Sequence, residues 1–175
     1  MRLFIAINFN DETRSRLLAL RDELRGKSSR GNFTAPKNLH LTLAFLGECD
    51  NKKTAAVKSV LSAVNFEPFD IRIDCIGRFK RDGGDIWWAG IRDNRAISDL
   101  QWSLTSGLCT NGFVLDNRKY NPHITLGREV VTDAKPWQIE PFGETVSSIE
   151  LMKSERINGK LIYTETYTKG TENNR

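Results

Sequence analysis

The chain has 175 residues, with 26 Lys and Arg against 22 Asp and Glu, a formal net charge of +4, 39% hydrophobic and 27% charged residues. These values fit a soluble globular chain with a packed core and exclude the disordered, collagen-like and coiled-coil classes. No window approaches the roughly 18 uninterrupted apolar residues of a membrane helix. The segment from Met1 to Asn8 turns polar before a secretory hydrophobic stretch is complete, so a cytoplasmic protein is expected. Cys49, Cys75 and Cys109 are odd in number and form no CxxC pair, which argues against a disulfide framework or a cysteine zinc site. The small positive charge is compatible with a polyanionic ligand but identifies none.

Taken in chain order, Arg2 to Phe9 reads as a buried strand, and Asn10 or Asp11 caps a helix to about Arg25, with Leu17, Leu20 and Leu24 on one face and Gly26 as its stop. A short strand is expected from Asn32 to Ala35 and another from Leu39 to Leu46, ending at Gly47. Asn51 to Val64 has helical spacing, and Phe69 to Phe79 alternates as a half-buried strand. Asp82-Gly83-Gly84-Asp85 turns the chain into a return strand, Ile86 to Ile91, in which alternation sends at least one of Trp87 and Trp88 into the core. Ile97, Leu100, Leu104 and Leu108 mark a helix closing near Asn111-Gly112. A strand from Pro122 to Arg128 follows, then a loop holding Pro136 and Pro141, then a hairpin of Val146 to Arg156 and Leu161 to Thr168 around Asn158-Gly159. A polar tail from Lys169 to Arg175 is expected to fray.

Strand, helix and histidine-bearing strand occur twice in that order. From Ile7 to His40 is 33 positions and from Ile91 to His123 is 32, as two superposable lobes would require. The chain's two histidines each open the same tetrapeptide type, His40-Leu41-Thr42-Leu43 and His123-Ile124-Thr125-Leu126. With 13 Thr in the chain, composition alone would place Thr two positions after both histidines roughly once in 200 trials. Residues i and i+2 of a strand share a face, so each motif projects an imidazole and a hydroxyl together and buries its apolar residues.

Two imidazoles in one cleft supply a base and an acid near neutral pH, and breaking a phosphodiester uses both. The hydroxyls and a cation would hold the non-bridging oxygens, with Arg128, five residues after His123, as the local candidate. A packed or surface histidine is the commoner fate of a single His on an apolar strand, and the duplication argues against it. Metal binding is disfavoured, because no third ligand stands at a recognisable spacing from either histidine.

Paired His-x-Thr-hydrophobic motifs about eighty residues apart resemble the 2H phosphoesterases, and among them the RNA 2',3'-cyclic phosphodiesterases once called 2'-5' RNA ligases. The resemblance extends to Arg2-Leu3-Phe4-Ile5-Ala6-Ile7, Pro36-Lys37-Asn38-Leu39-His40, Phe45-Leu46-Gly47-Glu48, Pro122-His123 and the closing strand with Ile149-Glu150-Leu151. It implies an α+β, bilobal duplicated fold of two antiparallel sheets backed by helices with a central cleft, spanning residues 1–170 as one domain with 171–175 as a frayed tail. No metal and no cofactor are implied. His40 would protonate the leaving 3'-oxygen, His123 would activate water, and Thr42 and Thr125 would hold the phosphate, giving a 2'-phosphomonoester, with reversible 2'-5' ligation as a side activity.

Many relatives carry a basic residue where this chain has Ala44, so phosphate neutralisation is expected to lean on Arg128 or on Arg78, Lys80 and Arg81. Phe45 either stacks on the terminal base or is a core aromatic, and Tyr120 either lines the cleft or merely precedes the strand. The expected partner is RNA with a 2',3'-cyclic phosphate end, met by a monomer. The alternatives are a phosphodiesterase acting on small cyclic nucleotides or an ADP-ribose cyclic phosphate, and a non-catalytic RNA-binding module.

Overall fold

The computed structural model describes residues 1–171. They form β1 (Arg2–Ile7), α1 (Asp11–Gly26), β2 (Ser28–Phe33), a 3-10 turn (Pro36–Asn38), β3 (Leu41–Glu48), α2 (Asn51–Ala63), β4 (Phe69–Phe79), β5 (Asp85–Ile91), α3 (Arg95–Thr110), β6 (His123–Thr132), β7 (Trp137–Val146), β8 (Ser148–Ile157) and β9 (Lys160–Gly170). Two antiparallel sheets result, one ordered β3-β1-β8-β9 and the other β2-β6-β5-β4-β7. The strand carrying each histidine motif lies beside the strand that opens its repeat, β3 beside β1 and β6 beside β5.

Capping chemistry sets the helix starts. Asn10, Asp50 and Asn94 accept hydrogen bonds from the amides of Thr13, Lys53 and Ile97, satisfying donors that a first helical turn leaves free. The helices cross between the repeats. Helix α1 follows β1 of the four-stranded sheet but packs on β2, β6 and β7, while α3 follows β5 of the other sheet and packs on β3. Each sheet is therefore backed by a helix from the other repeat. At the α2–α3 contact a Cβ on Gly107 would lie 2.9 Å from Val60 Cγ1, so the glycine permits the close approach.

Strand alternation in β1 separates a structural face from a chemical one. Leu3, Ile5 and Ile7 enter the main core beneath the helices, whereas Phe4 and Ala6 join Met152 and Tyr163 on the opposite face. Trp87 is fully buried and Trp88 only partly so, as strand alternation requires of the pair.

Three expectations need correction. The second strand runs from Ser28 to Phe33 rather than Asn32 to Ala35, an edge strand of polar residues whose pairing comes from β6 and not from hydrophobic alternation. The segment around Pro136 and Pro141 is not a loop throughout, because Trp137–Val146 forms β7. Pro141 is tolerated since β7 is an outer strand, where a missing amide hydrogen breaks no inner ladder. Gly143 is required there, as a Cβ would fall 1.8 Å from the Ile71 carbonyl oxygen. Finally, Lys169 and Gly170 belong to β9, and the Thr171 amide donates to the Ser147 carbonyl at 2.9 Å. The rest of the expected tail, 172–175, lies outside the described residues.

Candidate active site

His40 leaves the 3-10 turn one residue before β3. Its Nδ1 lies 2.7 Å from the Asn38 carbonyl oxygen, and since a carbonyl only accepts, Nδ1 carries the hydrogen. Nε2 is then free for chemistry, 2.8 Å from Thr42 Oγ1. The ring is held edge-on by Tyr163, centroids 5.2 Å apart, and tilted against Phe4 at 4.9 Å. His123 repeats the first part of this arrangement, with Nδ1 donating to the Asn121 carbonyl at 2.7 Å. It packs edge-on against Phe79 at 5.1 Å and tilted against Trp88 at 6.0 Å. Thr125 is half-buried, and its carbonyl accepts the Thr34 hydroxyl at 2.8 Å.

Both imidazoles have pKa values below the ordinary histidine value of 6.5, chiefly through burial, against which the Asn38 and Asn121 carbonyls favour the protonated rings. The positive charge of Arg128 presses both downward, and His123 presses on His40 as well. The two rings and this arginine therefore share one electrostatic environment, although they come from different sheets. Tyr120 ties the halves together, its hydroxyl donating to the Thr42 carbonyl at 2.9 Å. Burial pushes that phenol's pKa well up, so it remains a neutral donor.

A bulge in each histidine strand decides what accompanies the motif. Thr42 lies opposite Ala6, but after a register shift Ala44 lies opposite core-facing Ile5 and Phe45 opposite Phe4. Likewise Thr125 lies opposite Trp88, Gly127 opposite buried Trp87, and Arg128 follows on the cleft side. Strict alternation would have brought Ala44 and Gly127 to the chemical face. Instead the residue five after each histidine reaches it, Phe45 in one half and Arg128 in the other.

Of the residues singled out in the sequence, His40, Thr42, His123 and Arg128 are linked by a hydrogen bond or by charge, and Thr125 stands two residues after His123 opposite Trp88. Phe45 is 67% exposed, with its ring 6.2 Å from that of Phe4, so it is not a core aromatic. Ala44 is buried in the core, and a cation is not missing from the cleft on its account. Arg78 is bound to Asp85 at 3.5 Å and lies over Trp87 at 5.6 Å, which makes it structural, and Lys80 and Arg81 are exposed on the β4–β5 turn, with Arg81 stacked over Phe79 at 5.8 Å. Sequence reasoning missed Phe4, Tyr163 and Phe79 as walls of the histidine pockets, and the paired carbonyls of Asn38 and Asn121. A signal for the carbonyls was present, since both motifs read Asn-x-His-x-Thr. Among the described residues no group of three or more His, Cys, Asp or Glu is arranged to hold a metal ion, and no helix is long and apolar enough to cross a membrane.

Two helix-backed antiparallel sheets, each presenting one imidazole to the field of a shared arginine, are the architecture of the LigT-like phosphoesterases. Residues 7–88 match the family described as LigT like Phosphoesterase. An RNA 2',3'-cyclic phosphodiesterase of Archaeoglobus fulgidus is 34% identical over 151 residues, covering 82% of this chain and 85% of that protein. Its namesake from Escherichia coli K12 is 32% identical over 170 residues, covering 93% and 92%. The crystal structure of E. coli LigT complexed with 3'-AMP superposes with a TM-score of 0.84 at 26% identity, covering 98% of both chains. The chain belongs to the LigT-like phosphoesterase family of the 2H superfamily.

Proposed function

We propose that this cyclic phosphodiesterase opens RNA 2',3'-cyclic phosphate ends to 2'-phosphomonoesters, using His123 as base and His40 as acid without a metal ion. The observation that carries the reading is the matched anchoring of the two rings, each Nδ1 fixed by the carbonyl two residues upstream, so that both Nε2 atoms are free for proton transfer. Neutral His123 Nε2 removes a proton from water as its oxygen attacks phosphorus. The bond from phosphorus to the 3'-oxygen breaks, and His40 Nε2 delivers a proton to that oxygen. Both groups favour the neutral form in the free protein, and an anionic phosphate between them raises both, populating the protonated acid.

Thr42 couples this proton to phosphate binding. In the neutral ring Nε2 accepts the Thr42 hydroxyl; once His40 is protonated Nε2 no longer accepts, so the threonine hydrogen turns toward a non-bridging oxygen while Nε2–H is presented to the leaving 3'-oxygen. Thr125 and Arg128 serve the other oxygens, where charge-assisted hydrogen bonds are strongest, and Phe45 offers its exposed ring to the terminal base. With the 5'-hydroxyl of a second strand in place of water, His123 would take its proton, the 5'-oxygen would bond to phosphorus as the bond to the 3'-oxygen breaks, and His40 would protonate that oxygen, so 2'-5' ligation is the same step with a different nucleophile. All these groups come from one chain, so a monomer suffices for the proposed reaction.

The test is incubation with a 2',3'-cyclic-phosphate oligonucleotide in EDTA. A 2'-phosphate product supports the reading. A 3'-phosphate product, or activity that depends on added metal, overturns the assignment of acid, base and metal independence.

A further inference from the structure

The cleft face of the four-stranded sheet continues past the histidine. In pairing order Arg2 lies opposite Ser154 and Ser154 opposite Tyr163, while Arg156 stands two residues along the same strand, opposite Leu161. Even-numbered residues of β1 face the cleft, as Phe4 and Ala6 show, so Arg2 continues that row. Arg2, Arg156 and Arg128 all bear electrostatically on Tyr163, whose ring edges both His40 and Phe4. Three arginines from three strands therefore converge on one aromatic residue beside the proposed acid.

Nothing within the described fold absorbs this charge. Arg2 and Arg156 are exposed and form no ion pair among the described residues, and Arg156 only donates to the Gly159 carbonyl at 3.3 Å. The neighbouring carboxylates are engaged elsewhere, Glu48 with the Met1 ammonium at 3.4 Å and Glu165 with the Thr168 hydroxyl. In the other sheet Arg78, opposite buried Trp87, is instead neutralised by Asp85. Arg2 lies four residues from Ala6, the partner of Thr42, or about 13 Å along the strand at about 3.3 Å per residue, farther than a single nucleotide reaches.

We propose that the RNA strand leading to the cyclic end lies along this face with its phosphates on Arg2 and Arg156, which makes these two arginines the residues that set a preference for an oligonucleotide over a mononucleotide. Exposed Phe45 and half-buried Tyr163 border this track as stacking surfaces, and interleaved aromatic and basic side chains are what sequence-tolerant binding of single strands uses. This inference rests on the function proposed above in taking the cyclic phosphate to be bound between the histidines.

The test compares the wild type with the double charge reversal Arg2→Glu/Arg156→Glu. A control, Lys52→Glu/Lys58→Glu, makes the same net charge change on α2, away from the cleft face. Turnover is measured on a mononucleotide 2',3'-cyclic phosphate and on a short cyclic-ended RNA, and binding is measured by anisotropy with a 2'-phosphate-ended RNA of the same sequence. The reversal should leave the mononucleotide kcat/KM unchanged and lower the oligonucleotide value at least about tenfold. It should also flatten the salt dependence of binding by roughly 0.7 log units per arginine, the single-strand value for one phosphate contact. The control should match the wild type. Equal losses on both substrates, or unchanged RNA binding and salt slope, overturn the inference. If the wild type turns over neither substrate yet the reversal still weakens RNA binding, the functional proposal fails and the strand path stands.

Discussion

The two histidine motifs invite comparison because they are alike in backbone and unlike in surroundings. Each has an asparagine carbonyl holding Nδ1, a threonine two residues on, and a bulge that brings the fifth residue after the histidine onto the cleft face. At that shared position one half carries Phe45 and the other Arg128. His40 is bonded to Thr42 and enclosed by Phe4 and Tyr163, while His123 rests on Trp88 and Phe79. Symmetry supplies two rings anchored alike, and in the proposed reaction the asymmetric neighbours give them different work. In the proposed reaction Phe45 offers the first half a surface for a base, and Arg128 offers the second a charge for the phosphate.

The largest test of that division is removal of each ring. His40→Ala and His123→Ala should each lower kcat on a cyclic-ended RNA by roughly 100- to 10,000-fold, the usual worth of a general acid or base. The double variant should be little worse than the poorer single one, since groups that act as a unit are not additive. Multiplicative losses, or one variant with normal kcat, would mean that the halves do not cooperate at one phosphorus.

A second test removes each fifth residue in turn. Arg128→Met removes a charge-assisted hydrogen bond worth about 1.5–3 kcal/mol, or roughly 10- to 100-fold in kcat/KM. Because Arg128 depresses both histidines, their NMR titrations should move upward together in this variant. Phe45→Ala should act mainly on KM and leave both titrations in place, since only stacking is lost. If only one histidine responds to Arg128→Met, the shared field between the sheets is wrong.

Gly77→Ala probes the second half alone. A Cβ there would lie 2.3 Å from Trp88 Cη2, so the indole must leave the face on which His123 rests. Overpacking of this kind costs about 1–3 kcal/mol of stability. With less burial, the His123 titration should rise toward 6.5 while that of His40 stays put. Equal movement of both would show that the two pockets are not separately built.

How much of this was legible beforehand depended on whether local pattern or long-range pairing fixed each feature. Helices α1, α2 and α3 carried capping residues and regular apolar spacing, and the paired His-x-Thr motifs carried the resemblance to the phosphoesterase family. Strands β2 and β7 did not, because Ser28–Phe33 is polar and Pro141 suggests a loop, and both become strands only through their neighbours β6 and β4. The crossed helices were equally hidden, since order along the chain placed α1 with β1 whereas packing placed it on the other sheet. For the site, alternation correctly put His and Thr on one face, but it gave the next place to Ala44 and Gly127. The bulges that substitute Phe45 and Arg128 arise from cross-strand register, which no single segment encodes.

The smallest expected effect is on pH dependence, where both halves should act with the same sign. Each histidine has a folded pKa below its unfolded value, so above 6.5 both states hold it neutral and no differential proton uptake occurs. As pH falls below 6.5 the unfolded chain takes up the proton first, and stability declines until the folded pKa is passed. Glu150, buried and raised in pKa, acts oppositely by favouring the folded state as pH falls, so raw melting curves mix the two. The difference in Tm between wild type and His40→Ala isolates the histidine. It should be constant above 6.5 and shift in favour of the variant below it, while kcat/KM, set by the free enzyme, should peak on the acid side of 6.5. A wild-type advantage that is lost as pH rises from 7 to 9 would instead mean that His40 is held protonated in the folded protein, and burial would then not be what sets its pKa.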